Sequence, residues 1–121
     1  MDDILDKRVL DELLSFADDG DPDLLTDLIQ MFLDDGPAKV AAVHEGLAVG
    51  DFEKAERAAH SLKGSSGNLG AHLLQAVCEG LQLSTRNHEM ATAKGLEPQL
   101  DQRYAEAEQA LRGVLREYQH G

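Results

Sequence analysis

The chain has 121 residues with a single cysteine, no tryptophan, and 11 lysines and arginines against 23 aspartates and glutamates. One thiol excludes an internal disulfide, and Cys78, on a segment expected to be a buried helix, reads as a packing residue in a reducing cytoplasm. No run of about eighteen apolar residues exists to cross a bilayer. The N-terminus is acidic, which excludes the basic and then apolar start of a secretion signal. The shortage of positive charge argues against nucleic acid and anionic membranes as partners, since a net charge of −12 repels both. No strand pattern competes with the helical ones described below.

The acidity is uneven. Residues 1–36 hold twelve acidic and two basic side chains, and residues 37–121 hold eleven and nine. An acidic face of this kind keeps a protein soluble. These properties predict one soluble, cytoplasmic domain over residues 1–121, large enough to bury a core without staples. The initiating methionine, the compact length and the lack of linker-like tails favour a free-standing protein, and a complete bundle with one active face favours a monomer.

What the chain has in abundance is helical periodicity. Val9, Leu10, Leu13, Leu14 and Ala17 predict a short first helix ending near Asp18-Asp19-Gly20. A second starts after Asp21 with Pro22 in its first position; Leu24, Leu25, Leu28, Ile29, Phe32 and Leu33 form its stripe. Val40, Val43 and Leu47 continue that stripe beyond Gly36-Pro37, which predicts one long, kinked helix. Gly50-Asp51 reads as a tight connection with Asp51 as N-cap, Lys54 being too long and basic to complete a capping box. A third helix runs from about Phe52 to Ser66. A fourth carries Leu73, Leu74, Val77, Leu81 and Leu83 to about Arg86. The last, from about Glu89 to Tyr118, is open to interruption at Gly95 and Pro98 and periodic through Leu100, Tyr104, Ala107, Leu111, Val114 and Leu115. The fold predicted is all-α: an antiparallel up-down-up-down four-helix bundle with a short extra N-terminal helix.

The third helix carries the candidate chemistry, in the run Ala59 to Ala71, AHSLKGSSGNLGA. With Phe52 at zero, Ala55, Ala59 and Leu62 fall at about 300°, 340° and 280°, a single apolar stripe. His60 falls at about 80° and therefore faces outward, anchored by packing rather than by a loop. Small residues at Ala55, Ala58 and Ala59 would let a neighbouring helix approach and bring Gln82 within reach of the imidazole. A glycine inside a helix costs about 1 kcal/mol relative to alanine, so Gly64, one turn after His60, needs a reason. Clearance supplies one: with no side chain there, a bulky group reaches the ring. Lys63, at about 20°, flanks His60, and Ser65 lies close by, whereas Ser66 at about 320° points to the core. An exposed, uncluttered nucleophile beside a cation suits a phosphoryl cargo.

These residues resemble the histidine-containing phosphotransfer (HPt) domain of bacterial phosphorelays. The pattern is H-x-L-K-G-S-S-x-x-L-G at His60, Leu62, Lys63, Gly64, Ser65, Ser66, Leu69 and Gly70. The likeness extends to Leu28–Leu33 and to Val77-Cys78-Glu79 with Leu81-Gln82, and spans roughly residues 22–118. It implies a carrier without turnover of its own, which accepts a phosphoryl group on His60 from a receiver-domain aspartyl phosphate and passes it to another receiver aspartate. It further implies Lys63 as charge partner for the phosphoryl oxygens, Gly64 as the clearance position, Gln82 as a hydrogen-bond partner of His60, and Arg86 as a basic residue near the site. Gln82 and Arg86, spaced i, i+4, face one neighbour. Implied partners are response-regulator receiver domains and a hybrid sensor histidine kinase, with magnesium on the receiver and no cofactor of the chain's own. Imidazole, with an ordinary pKa of about 6.5, keeps a substantial neutral fraction at cytoplasmic pH, and phosphoryl transfer asks mostly for positioning and charge stabilisation.

Other readings are weaker. His44, His72, His88 and His120 read as solvated side chains. GSSGNLG lacks the G-x-x-x-x-G-K-[ST] of a P-loop after a strand and reads as an interhelical turn with caps. The histidines lack the i, i+4 pairing of a metal-binding helix, and Ser61 cannot face His60 from the adjacent position. Glu56, one turn before His60, fits an orienting partner for the ring or a solvated charge. The alternative function is a helical adaptor that binds a receiver or kinase without accepting phosphate.

Overall fold

The computed structural model describes residues 4–16 and 21–119. The expected helix end at Asp18-Asp19-Gly20 lies outside them, as do Ala17 and His120. Five helices follow in order, α1 (Lys7–Ser15), α2 (Asp23–Val49), α3 (Phe52–Asn68), α4 (His72–Arg86) and α5 (Met90–Gln119), and among the described residues there is no strand. Connections of two or three residues force α2 to α5 to run antiparallel, each against the next, with α5 closing on α2 and α1 in contact with α2. Among the described residues no helix is long and apolar enough to cross a membrane.

Several boundaries have a local cause. Asp6 caps α1 by accepting the Arg8 amide at 3.0 Å, and Asp51 caps α3 by accepting the Lys54 amide at 3.1 Å. Gly50 ends α2 in the left-handed region at φ +76°. Pro22 stands just outside α2 instead of in its first position: its carbonyl accepts the first helical bond, from the Thr26 amide at 2.9 Å, and the orphan Asp23 amide donates to the Asp21 carboxylate at 3.0 Å. Pro37 does not divide α2, and neither Gly95 nor Pro98 interrupts α5. Pro37 is on the exposed face; Gly36 beside it is buried against Tyr104, whose ring stacks on Phe32 at 5.3 Å.

The core is built by the expected stripes. Leu25, Ile29, Leu47, Leu62, Leu74, Leu81, Leu100 and Leu111 are sealed from solvent, as is Cys78, whose thiol burial pushes to about 12. Leu24 and Leu83 depart from the expected stripes and face solvent, at 42% and 51% exposure. The stripes read from sequence are wider than the strip a neighbouring helix covers.

Of the histidines expected to be solvated, His88 is exposed but stacked, and His44 is half-buried in an ion cluster. His88, in the left-handed region at φ 57°, lies flat on Phe52 with ring centroids 4.5 Å apart. His44 joins α2 to α5: its Nδ1 is 2.5 Å from Glu97 and its Nε2 2.7 Å from Asp101. Only the imidazolium donates from both nitrogens. Partial burial works against that charge, but the hydrogen bonds to Asp101 and Glu97 outweigh it and raise the His44 pKa above 6.5. A raised folded-state pKa gives stabilisation that is complete below about pH 6.5 and lost as pH rises through the folded value. His44→Gln should therefore lower the melting temperature more at pH 6 than at pH 9, by about 2 °C given the partial exposure of the cluster. Thermal melts at the two pH values test this, and an equal loss at both would assign His44 a packing role. His72 is exposed, as expected.

Candidate functional site

α3 is held from both sides, by α2 and α4. Ala55, Ala59 and Leu62 are fully buried and Ala58 nearly so. The absence of bulk on this face brings α4 close, so His60, exposed on α3, meets Gln82, nearly buried on α4. Gln82 Nε2 is 3.0 Å from His60 Nδ1, which leaves Nε2 of the ring toward solvent as the free nitrogen.

One turn along α4, Arg86 Nε donates to Glu56 Oε2 at 2.9 Å, so Gln82 and Arg86 both reach back to α3. Glu56 thus has a partner, and it is Arg86 rather than the imidazole. Glu53, Glu56, Arg57, His60, Gln82 and Arg86 line one shallow depression. Arg57 is paired with Glu53 along α3. On the other side of His60, Lys63 Nζ is 3.4 Å from Glu79 Oε1 of α4, a partner that its place in the sequence did not announce.

A Cβ at Gly64 would meet nothing within 4 Å, so the helix surface one turn beyond His60 is open there. The serines after it do not serve the site: Ser66 is buried and donates to the Leu62 carbonyl at 2.6 Å, and Ser65 donates to the same carbonyl at 3.3 Å. The run GSSGNLG is more helical than expected, with α3 continuing to Asn68. Gly67 lies against the Gln75 side chain, where a Cβ would come within 2.6 Å, and this packing keeps it helical. The turn proper is residues 69–71. There Gly70 adopts φ +74°, and its carbonyl accepts the Asp6 amide at 2.8 Å.

Comparison with known proteins gives one family. Residues 27–110 match the family model described as the Hpt domain. The chain is 29% identical over 79 residues to multistep phosphorelay regulator 1 of Schizosaccharomyces pombe, covering 65% of this chain and 27% of that protein. It is 30% identical over 70 residues to histidine-containing phosphotransfer protein 2 of Arabidopsis thaliana, covering 55% of this chain and 45% of that one. The chain thus spans less than half the length of both relatives. The crystal structure of histidine-containing phosphotransfer protein B from Pseudomonas aeruginosa superimposes with a TM-score of 0.86 at 30% identity, over 95% of this chain and 96% of that one.

Proposed function

The chain belongs to the Hpt domain family, and from that premise we propose that it is a phosphocarrier: His60 takes a phosphoryl group from the aspartyl phosphate of one receiver domain and yields it to the aspartate of another. The observation that carries this reading is an exposed imidazole fixed through Nδ1 by Gln82 and left open on the side of Gly64.

Attack needs the Nε2 lone pair, which places the ring proton on Nδ1. The two ends of a carboxamide are nearly isosteric, so Gln82 turned about its terminal bond presents Oε1 to accept Nδ1–H. In that arrangement the N–P bond forms at Nε2, the P–O bond to the donor breaks with its electron pair passing to the carboxylate, and Nδ1 keeps its proton. Arg86 and Lys63 are the cations available to the phosphoryl oxygens. The receiver domain is the expected holder of magnesium and of the acidic pocket. Nothing in this division requires turnover by the carrier alone. Exposed Leu83, one residue beyond Gln82, suits a modest, transient docking interface with an apolar centre. A hybrid sensor kinase would feed such a relay, in the cytoplasm, with the chain acting as a monomer.

Incubation with a phosphorylated receiver domain tests the reading. Acid-labile, base-stable label located at His60 is expected; receiver binding without transfer would favour the adaptor instead. Gly64→Leu should cut the transfer rate at least about tenfold, since one misplaced group near the reacting atoms costs that much or more. It should leave the melting temperature unchanged or slightly raised, because leucine is the better helix former and its Cβ meets nothing within 4 Å. A wild-type transfer rate with receiver binding intact would remove clearance as the reason for this glycine.

A further inference from the structure

Three cations stand near His60, and each already has a carboxylate: Arg86 with Glu56, Lys63 with Glu79, and Arg57 with Glu53. The site is therefore close to electroneutral before cargo arrives. A phosphoryl group brings about two negative charges at neutral pH, and on His60 it would lie beside Glu56, which is one helical turn earlier on the same helix and lines the same depression. Glu56 is the least exposed carboxylate of the three pairs, and its bond to Arg86, at 2.9 Å, is shorter than that of Lys63 to Glu79.

We infer that Glu56 is a positioning residue that withholds Arg86 from the phosphoryl group, and so keeps the loaded histidine poised to give its cargo up. This rests on the carrier reading above. On loading, the aspartyl P–O bond breaks, the N–P bond forms at Nε2, and the bonding pair leaves with the receiver carboxylate. The loaded side chain then faces Glu56 across the depression. Arg86 relieves that repulsion only by leaving Glu56, which would strand a carboxylate next to the new charge. A carrier must unload as readily as it loads. A carboxylate competing for the guanidinium opposes over-stabilisation of the phosphohistidine, whereas a free arginine would bond the phosphoryl oxygens in its fork.

The test uses the full chain, loaded from a phosphorylated receiver domain. Measured are the fraction of phosphoryl on His60 at equilibrium with that receiver and the first-order decay of the isolated phosphohistidine. Glu56→Gln should raise the equilibrium fraction ratio and lengthen the lifetime, each by about threefold, the range set by exposed ion pairs. Because Arg86 mediates the effect, Arg86→Ala should reduce the gain from Glu56→Gln to less than half. The gain should also shrink as salt is added. A purely structural role for Glu56 would lower the melting temperature without lengthening the lifetime. If wild type labels and Glu56→Gln matches it in ratio and lifetime, or keeps its full gain in the Arg86→Ala background, this inference is overturned and the carrier reading stands. If wild type takes no label at His60, the carrier reading falls and takes this inference with it.

Discussion

Replacing His60 by glutamine should abolish phosphoryl acceptance altogether while leaving the bundle and its receiver affinity intact. Glutamine has a similar reach but no lone pair basic enough to attack phosphorus, so the loss is complete rather than partial. The fold should survive for three reasons. His60 is on the exposed face of α3; the helix is anchored by the buried Ala55, Ala59 and Leu62; and surface substitutions of this kind usually stay within about 0.5 kcal/mol. The new carboxamide can still bond Gln82, so that nearly buried group keeps a partner. Label counting after incubation with a phosphorylated receiver, together with a binding titration and a thermal melt, checks all three parts. Label remaining on the variant would move the acceptor to another residue. Loss of binding along with label would mean that the imidazole also serves in docking.

The parts of this site that could be read from sequence are those fixed within one helix. The outward direction of His60, the burial of Ala55, Ala59 and Leu62, and the core-facing Ser66 all follow from one angular period, and the structure has them so. The approach of Gln82 followed from small residues on one face of α3, because a helix with little bulk admits its neighbour. The long α2 was also legible, since the apolar stripe resumed beyond Pro37 without a polar loop.

What was hidden lay in contacts between residues far apart in sequence. Glu56 finds Arg86 thirty residues away and His44 finds Glu97 and Asp101 more than fifty away. No local pattern distinguishes those carboxylates from the other acidic residues of a chain with 23. Long, charged side chains choose partners only once two helices have been set side by side. The same holds for Lys63, expected to flank His60, whose ammonium turns to Glu79. The end of α3 was misplaced by two residues because glycine propensity favours a stop at Gly67, and packing against Gln75 overrides it.

Gly46 is the clearest case of a residue whose role only the packed bundle reveals, and Gly46→Leu should be the most destabilising single change at the α2–α3 corner. A Cβ at this position would stand 2.8 Å from the Asp51 carbonyl oxygen and 2.9 Å from the Ala55 amide nitrogen, both backbone atoms of the approach to α3. They cannot retreat freely. The Asp51 amide donates to the Gly46 carbonyl at 2.7 Å, and the Asp51 side chain caps α3 through Lys54 at 3.1 Å. Leucine's better helix propensity returns about 1 kcal/mol; forcing the helices apart costs about 1–3 kcal/mol or more, with the loss of a cap worth about 1 in addition. The net expectation is about 1–3 kcal/mol of lost stability or more, a fall of roughly 4–12 °C in melting temperature for a domain of this size. Gly95→Ala is the matched control: Gly95 is also a glycine inside a helix, but a Cβ there meets nothing within 4 Å, so this change should raise the melting temperature. Because α3 carries His60 and α4 carries Gln82, displacing the start of α3 should also slow transfer in Gly46→Leu well below the transition. A Gly46→Leu variant that melts at or above wild type would mean that the corner yields at little cost, and that the close approach of α2 and α3 does not hold His60 in register with Gln82.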